Sequence, residues 1–150
     1  MGVVVSEEKV KSQAKKPNEE KWGDALRQGF VIVPWVLLRR QKELGLDSLK
    51  LVVLLHLLAS WWEVNKAPFP RSSTLANRMD VSTRTVQRCL RALEKQGYLA
   101  RRHEETGRST KTLYDLTPLA TTLQEVVRQS IMVAQAEAQA PQRGNAVEMV

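Results

Sequence analysis

One hundred and fifty residues with an apolar share of 43 % suffice for one domain with one core and exclude wholesale disorder. A single cysteine, Cys89, excludes an internal disulfide and a cysteine-based zinc site, and suits a reducing cytoplasm. The net charge of +7 is unevenly placed: residues 71–111 hold ten basic and four acidic side chains, an excess of +6, against +3 over 1–70 and −2 over 112–150.

The first 17 residues read as a flexible polar leader. Glu7, Glu8 and Lys9 end the opening apolar stretch too soon for a signal peptide, and Met1-Gly2 with Ser6 meets only a permissive myristoylation pattern. Asn18 to Gln28 has helical spacing, with Trp22 and Leu26 expected to face inward. Phe30-Val31-Ile32-Val33 is short and β-branched and reads as extended chain leading to Pro34, which suits the first turn of a second helix ending near Gly45.

Asp47 is an N-cap for a third helix, Ser48 to about Val64, apolar all round as befits the centre of a small domain. The run Leu51 to Trp62, broken by His56 and Ser60, falls short of the roughly 20 residues that cross a bilayer. Trp61 and Trp62 at its end, and Trp35, are expected to pack in the core rather than to stack on bases. Asn65 to Pro70, with two prolines, is a loop.

Ser72 or Ser73 then caps a short helix to Met79, Asp80-Val81-Ser82 makes a tight turn, and a longer helix runs from Thr83 to Gln96 before Gly97. Tyr98 to His103 and Lys111 to Leu116 alternate as strands around the loop Glu105 to Ser109. Pro118 opens a last helix to about Ala134, and 134–150 reads as a flexible tail. The fold class is therefore mainly α with a small β-hairpin wing. It is a winged helix-turn-helix with extra N-terminal helices and a C-terminal helix, spanning 18–133.

Two helices joined by so short a turn need a small residue where they touch, and Ala76 supplies it. Leu75 and Met79 should face the core, Val81 should plug the turn, and Val86, Cys89, Leu90 and Leu93 share one apolar side. Asp80 stands where the left-handed backbone often calls for glycine.

The opposite side presents Thr83, Arg84, Gln87 and Arg88, residue types that read base edges in a major groove, with Arg91 further along for phosphate. Ser73, Thr74 and Arg78 on the preceding helix, and Arg108 and Lys111 on the hairpin, are candidate phosphate contacts.

The stripe Leu119, Leu123, Val126, Val127, Ile131 is a candidate dimer face. His56 and His103 lie far from each other and from Cys89, without metal-site spacing, and Cys89 shares the packed side of its helix. Glu104 and Glu105, adjacent on a strand, point to opposite faces and cannot share a substrate. No catalytic motif, cofactor loop, metal site or small-molecule effector site is evident, and the chain is not expected to be an enzyme or to enter a membrane.

The run Thr74 to Arg88, with Leu90, Leu93, Glu94, Gly97, Tyr98 and Leu99, resembles bacterial winged-helix DNA-binding domains and shares the cadence of GntR-type regulators. Gly29-Phe30-Val31, Pro34, Leu37-Leu38, Leu54 to Leu58 and Pro68-Phe69-Pro70 are similar to phage- and plasmid-borne helix-turn-helix proteins and to the N-terminal domain of DnaD-like replication proteins. The resemblance covers roughly Gly29 to Leu123 and implies a bacterial DNA-binding core. It extends neither to the ligand-sensing domain of full GntR-type regulators nor to the C-terminal domain of DnaD-like proteins.

The expected function is sequence-specific binding of double-stranded DNA by a cytoplasmic homodimer, most simply a transcriptional regulator acting by site occupancy. One rival is a replication-initiation or plasmid-maintenance protein. Another is a winged-helix protein-interaction module, which would carry an apolar or acidic recognition helix rather than a basic one.

Overall fold

The computed structural model describes residues 17–141. The leader expected over 1–17 lies almost wholly outside them, as does the end of the expected tail, 142–150. The chain divides after Ile32 into two units.

In the first unit a helix α1, described over 17–22, passes into a 3-10 turn, Gly23–Gln28. Gly23 at φ +51° breaks the α-helical run. Neither Trp22, which is exposed, nor Leu26, which is half-exposed, is buried in a core as expected. Residues 29–32 join neither helix nor strand, and Gly29 takes φ +106°.

The second unit holds α2 (Trp35–Arg39), α3 (Ser48–Ala59), α4 (Ser72–Met79), α5 (Thr83–Lys95), β1 (Ala100–Thr106), β2 (Ser109–Asp115) and α6 (Thr117–Gln139). This is the winged helix-turn-helix order, with added helices on both sides. The core of this unit is drawn from each of its five helices: Leu37, Val53, Leu54, Leu57, Leu75, Val86, Leu90, Leu93 and Leu119 are all fully or almost fully buried.

Helix α2 is only five residues long, but its turns continue to Gly45 at φ +67°. There the Gly45 N–H bonds to the Lys42 carbonyl and the Leu46 N–H to the Gln41 carbonyl, a Schellman stop. Asp47 caps α3 by accepting from the Lys50 N–H at 2.8 Å.

Helix α3 stops at Ala59, five residues before the expected Val64. Its last N–H groups, from Ser60 and Trp61, reach back three residues to Leu57 and Leu58, tightening the turn. The chain then leaves the helix as irregular loop. Trp61 packs on the core, whereas Trp62 is 72 % exposed, contrary to expectation. Trp35 is exposed too.

The other departures are at boundaries. Arg71, not a serine, is the N-cap of α4, and no side chain caps that helix. The hairpin pairs out to Thr106 and Ser109, so the expected five-residue loop shrinks to Gly107-Arg108. Gly107 takes φ +61°, the sign that a two-residue hairpin turn requires. Helix α6 runs on to Gln139 through the supposed tail, because its Ala, Gln and Glu residues are good helix formers. No described helix is long and apolar enough to cross a membrane.

Candidate nucleic-acid interface

Ala76 is buried where α4 and α5 meet, and Met79 and Val81 pack half-buried against the core. Between the helices Asp80 adopts φ 53°, ψ 47°, the left-handed conformation. The Val81 N–H bonds to the Ala76 carbonyl and the Asp80 N–H to that of Asn77, the same Schellman closure as at Gly45.

Ser82 then caps α5: its Oγ accepts from the Thr85 N–H at 3.1 Å and lies 2.9 Å from Thr85 Oγ1. Helix α5 ends at Gly97 with a third Schellman pair, and its end is fastened to the 44–45 turn. The Tyr98 hydroxyl donates to the Leu44 carbonyl at 2.6 Å, and the Gln96 side chain donates to the Gly45 carbonyl at 2.9 Å. Both ends of the helix are thus fixed before anything binds it.

Val86, Cys89, Leu90 and Leu93 are buried behind α5, while Thr83, Arg84, Gln87, Arg88 and Arg91 are exposed in front. Burial pushes the Cys89 thiol above its ordinary pKa, with Asp47 adding to the effect, so the thiol is a packing group and a poor nucleophile. His56, half-buried in α3, is held below its ordinary pKa by desolvation and then by the nearby Arg78 charge. His103 is exposed on the hairpin opposite Thr112, its ring nitrogen 3.3 Å from Thr112 Oγ1.

A groove of about 530 Å³ runs between α5, the start of α4 and the hairpin. It gathers four of the residues expected to touch DNA: Ser73, Thr83, Gln87 and Lys111. Arg84, Arg88, Arg91, Thr74, Arg78 and Arg108 are exposed outside it, Arg108 at the hairpin tip. The groove also holds Arg71, Ser72, Thr110, Thr112 and Phe69, which the sequence reading left out. A signal for two of them was present, since Thr110 and Thr112 share a strand face by their spacing of two.

Lys111 is less free than expected. Its Nζ sits 3.3 Å from the centroid of the Phe69 ring, a cation–π contact, and its cross-strand partner is Glu104. The Pro68 carbonyl accepts from the Tyr114 N–H at 2.8 Å, so the Pro68-Phe69-Pro70 loop is fastened to the edge of the hairpin. Arg101 is committed to Glu94 of α5, tying the wing to the helix.

The expected dimer stripe divides. Leu119 and Leu123 belong to the core, with Leu123 only 6 % exposed, and Val126 is half-buried. Only Val127 and Ile131 remain open, joined by Met132 and Val133. The first two turns of α6 are used up in covering the domain's own core, so they are removed from the candidate dimer face.

Comparison with known proteins gives one family. The family model of the DnaD N-terminal domain matches residues 33–133. The crystal structure of the N-terminal domain of DnaD from Geobacillus kaustophilus HTA426 is 33 % identical, with a TM-score of 0.54, the match covering 79 % of this chain and 96 % of that one. The transcriptional regulator SlyA matches at 16 % identity and TM-score 0.40 over 70 % of this chain and 68 % of its own. The transcriptional regulator PA3341 matches at 23 % and 0.41 over 89 % and 84 %. No curated protein sequence matches.

Proposed function

The chain belongs to the DnaD N-terminal domain family, and from that premise we propose that it binds double-stranded DNA through the outer face of α5. The observation that carries this reading is the division of α5 into four buried apolar side chains and an open row of Thr83, Arg84, Gln87, Arg88 and Arg91. An arginine pairs with guanine and a glutamine with adenine through two hydrogen bonds each, so Thr83, Arg84, Gln87 and Arg88 read bases. Ser73, Thr74, Arg78, Arg91 and Arg108 hold phosphates, and Lys111 does so from its seat on Phe69.

The protein acts by occupying its site, without chemistry on the DNA. Of the two roles expected from sequence, family membership favours replication initiation or plasmid maintenance over regulation at promoters. Mapping bound sites across the host genome separates them: clustering at origins supports the first, clustering at promoters the second. A titration against mixed duplex DNA at low salt tests the underlying activity, and no binding there would leave the protein-interaction reading.

Two copies of the chain pair through the open half of α6, doubling the DNA site.

A further inference from the structure

Trp62, freed from the core by the early end of α3, lines a cleft of about 600 Å³ with Ser60, Lys66, Pro68 and Phe69. Phe69 and Pro70 line this cleft and the groove beside α5 alike, so the two adjoin at that loop. Phe69 is 54 % exposed, and Lys111 sits on its ring, placing a cation where groove and cleft meet. Arg71, beside them in the groove, has no carboxylate partner among the described residues. The one acid of the cleft, Glu63, is held by Lys66 at 2.9 Å.

A large aromatic face left open to water, here Trp62, with Arg71 and Lys111 nearby and outside the ion pairs, is what an unpaired nucleotide binds. A base of any identity stacks on the ring, and the cations take its phosphates. An uncharged apolar peptide gains nothing from the cations, whereas a nucleic-acid strand uses both.

We infer that Trp62 forms a stacking site for unpaired nucleotides of a DNA strand whose duplex part occupies the neighbouring groove, with Phe69 holding Lys111 between the two. The inference rests on the duplex-binding reading above, and adds to it a preference for junctions between duplex and single strand.

Anisotropy titrations of the full chain with three labelled DNAs test it: a blunt duplex, the same duplex with a thymidine overhang, and the overhang strand alone. The overhang duplex should bind roughly tenfold tighter than the blunt one, the scale of one stacked base. Trp62→Ala should abolish that gain and leave blunt-duplex affinity unchanged, while Trp62→Phe keeps most of it. Equal affinity for blunt and overhang duplexes, or an equal loss on both in Trp62→Ala, overturns the stacking site. If the blunt duplex does not bind at all, the duplex reading fails instead. The stacking site then stands if Trp62→Ala abolishes binding of the single strand, and falls if that strand fails to bind or binds the variant equally.

Discussion

Among the described residues three helical stretches stop with the same pair of backbone hydrogen bonds, at Gly45, Asp80 and Gly97, and at only one of them is the left-handed residue not glycine. The left-handed region costs an L-residue about 1–2 kcal/mol, and aspartate less than most. Asp80→Val should therefore lower stability by about 1–2 kcal/mol, and Asp80→Gly should leave it equal or slightly raised. Urea denaturation reads both, and equal midpoints for the two variants would mean that this backbone turn is not limiting.

His56 makes a second statement at this scale. Its pKa is lower folded than unfolded, so the folded state gains from neutral histidine above the unfolded pKa and loses that gain as pH falls through it. Stability should drop below about pH 6.5, and His56→Gln should flatten that part of the profile. On the interface, Arg84→Ala or Arg88→Ala should cost about 1–3 kcal/mol on the preferred site and relax specificity. Competition against random duplex measures the ratio. An unchanged ratio would move these arginines to the phosphates.

Helix α6 is two structures in one element. Its first half is core, and Leu123→Ala should cost about 2–5 kcal/mol by opening a cavity. Its second half is open, with Ile131 51 % exposed, so Ile131→Asp should leave the circular dichroism spectrum unchanged and shift sedimentation from dimer to monomer. A variant still dimeric would place the pairing of copies elsewhere. The hairpin likewise has a fixed and a free part. Arg101 and Lys111 are held by Glu94 and Phe69, whereas Arg108 rides the two-residue turn at the tip.

Across the whole molecule, charge and shape coincide. The stretch with an excess of +6 folds into α4, α5, the hairpin and the groove between them. Each phosphate neutralised there releases counterions, so log affinity should fall linearly with log salt, with a slope of about −0.9 per phosphate contact. Arg108→Ala should weaken all sequences alike and reduce that slope by about one contact. An unchanged slope would take the wing off the DNA.

The order of elements, the two-sided pattern of α5 and the stop at Gly97 could all be read from the sequence. So could the Asp47 cap and the turn at Asp80. Each is decided within a few residues by helical period, capping and backbone freedom. The groove could not be read this way, because Arg71, Thr83 and Thr110 become neighbours only once α4, α5 and the hairpin have packed. Nor could the fates of Trp62 and Leu123. Both are large apolar side chains at plausible core positions, and burial is settled by what the rest of the chain lays over them. Local chemistry dictated the pieces and their faces; tertiary packing decided which faces stayed open to a partner.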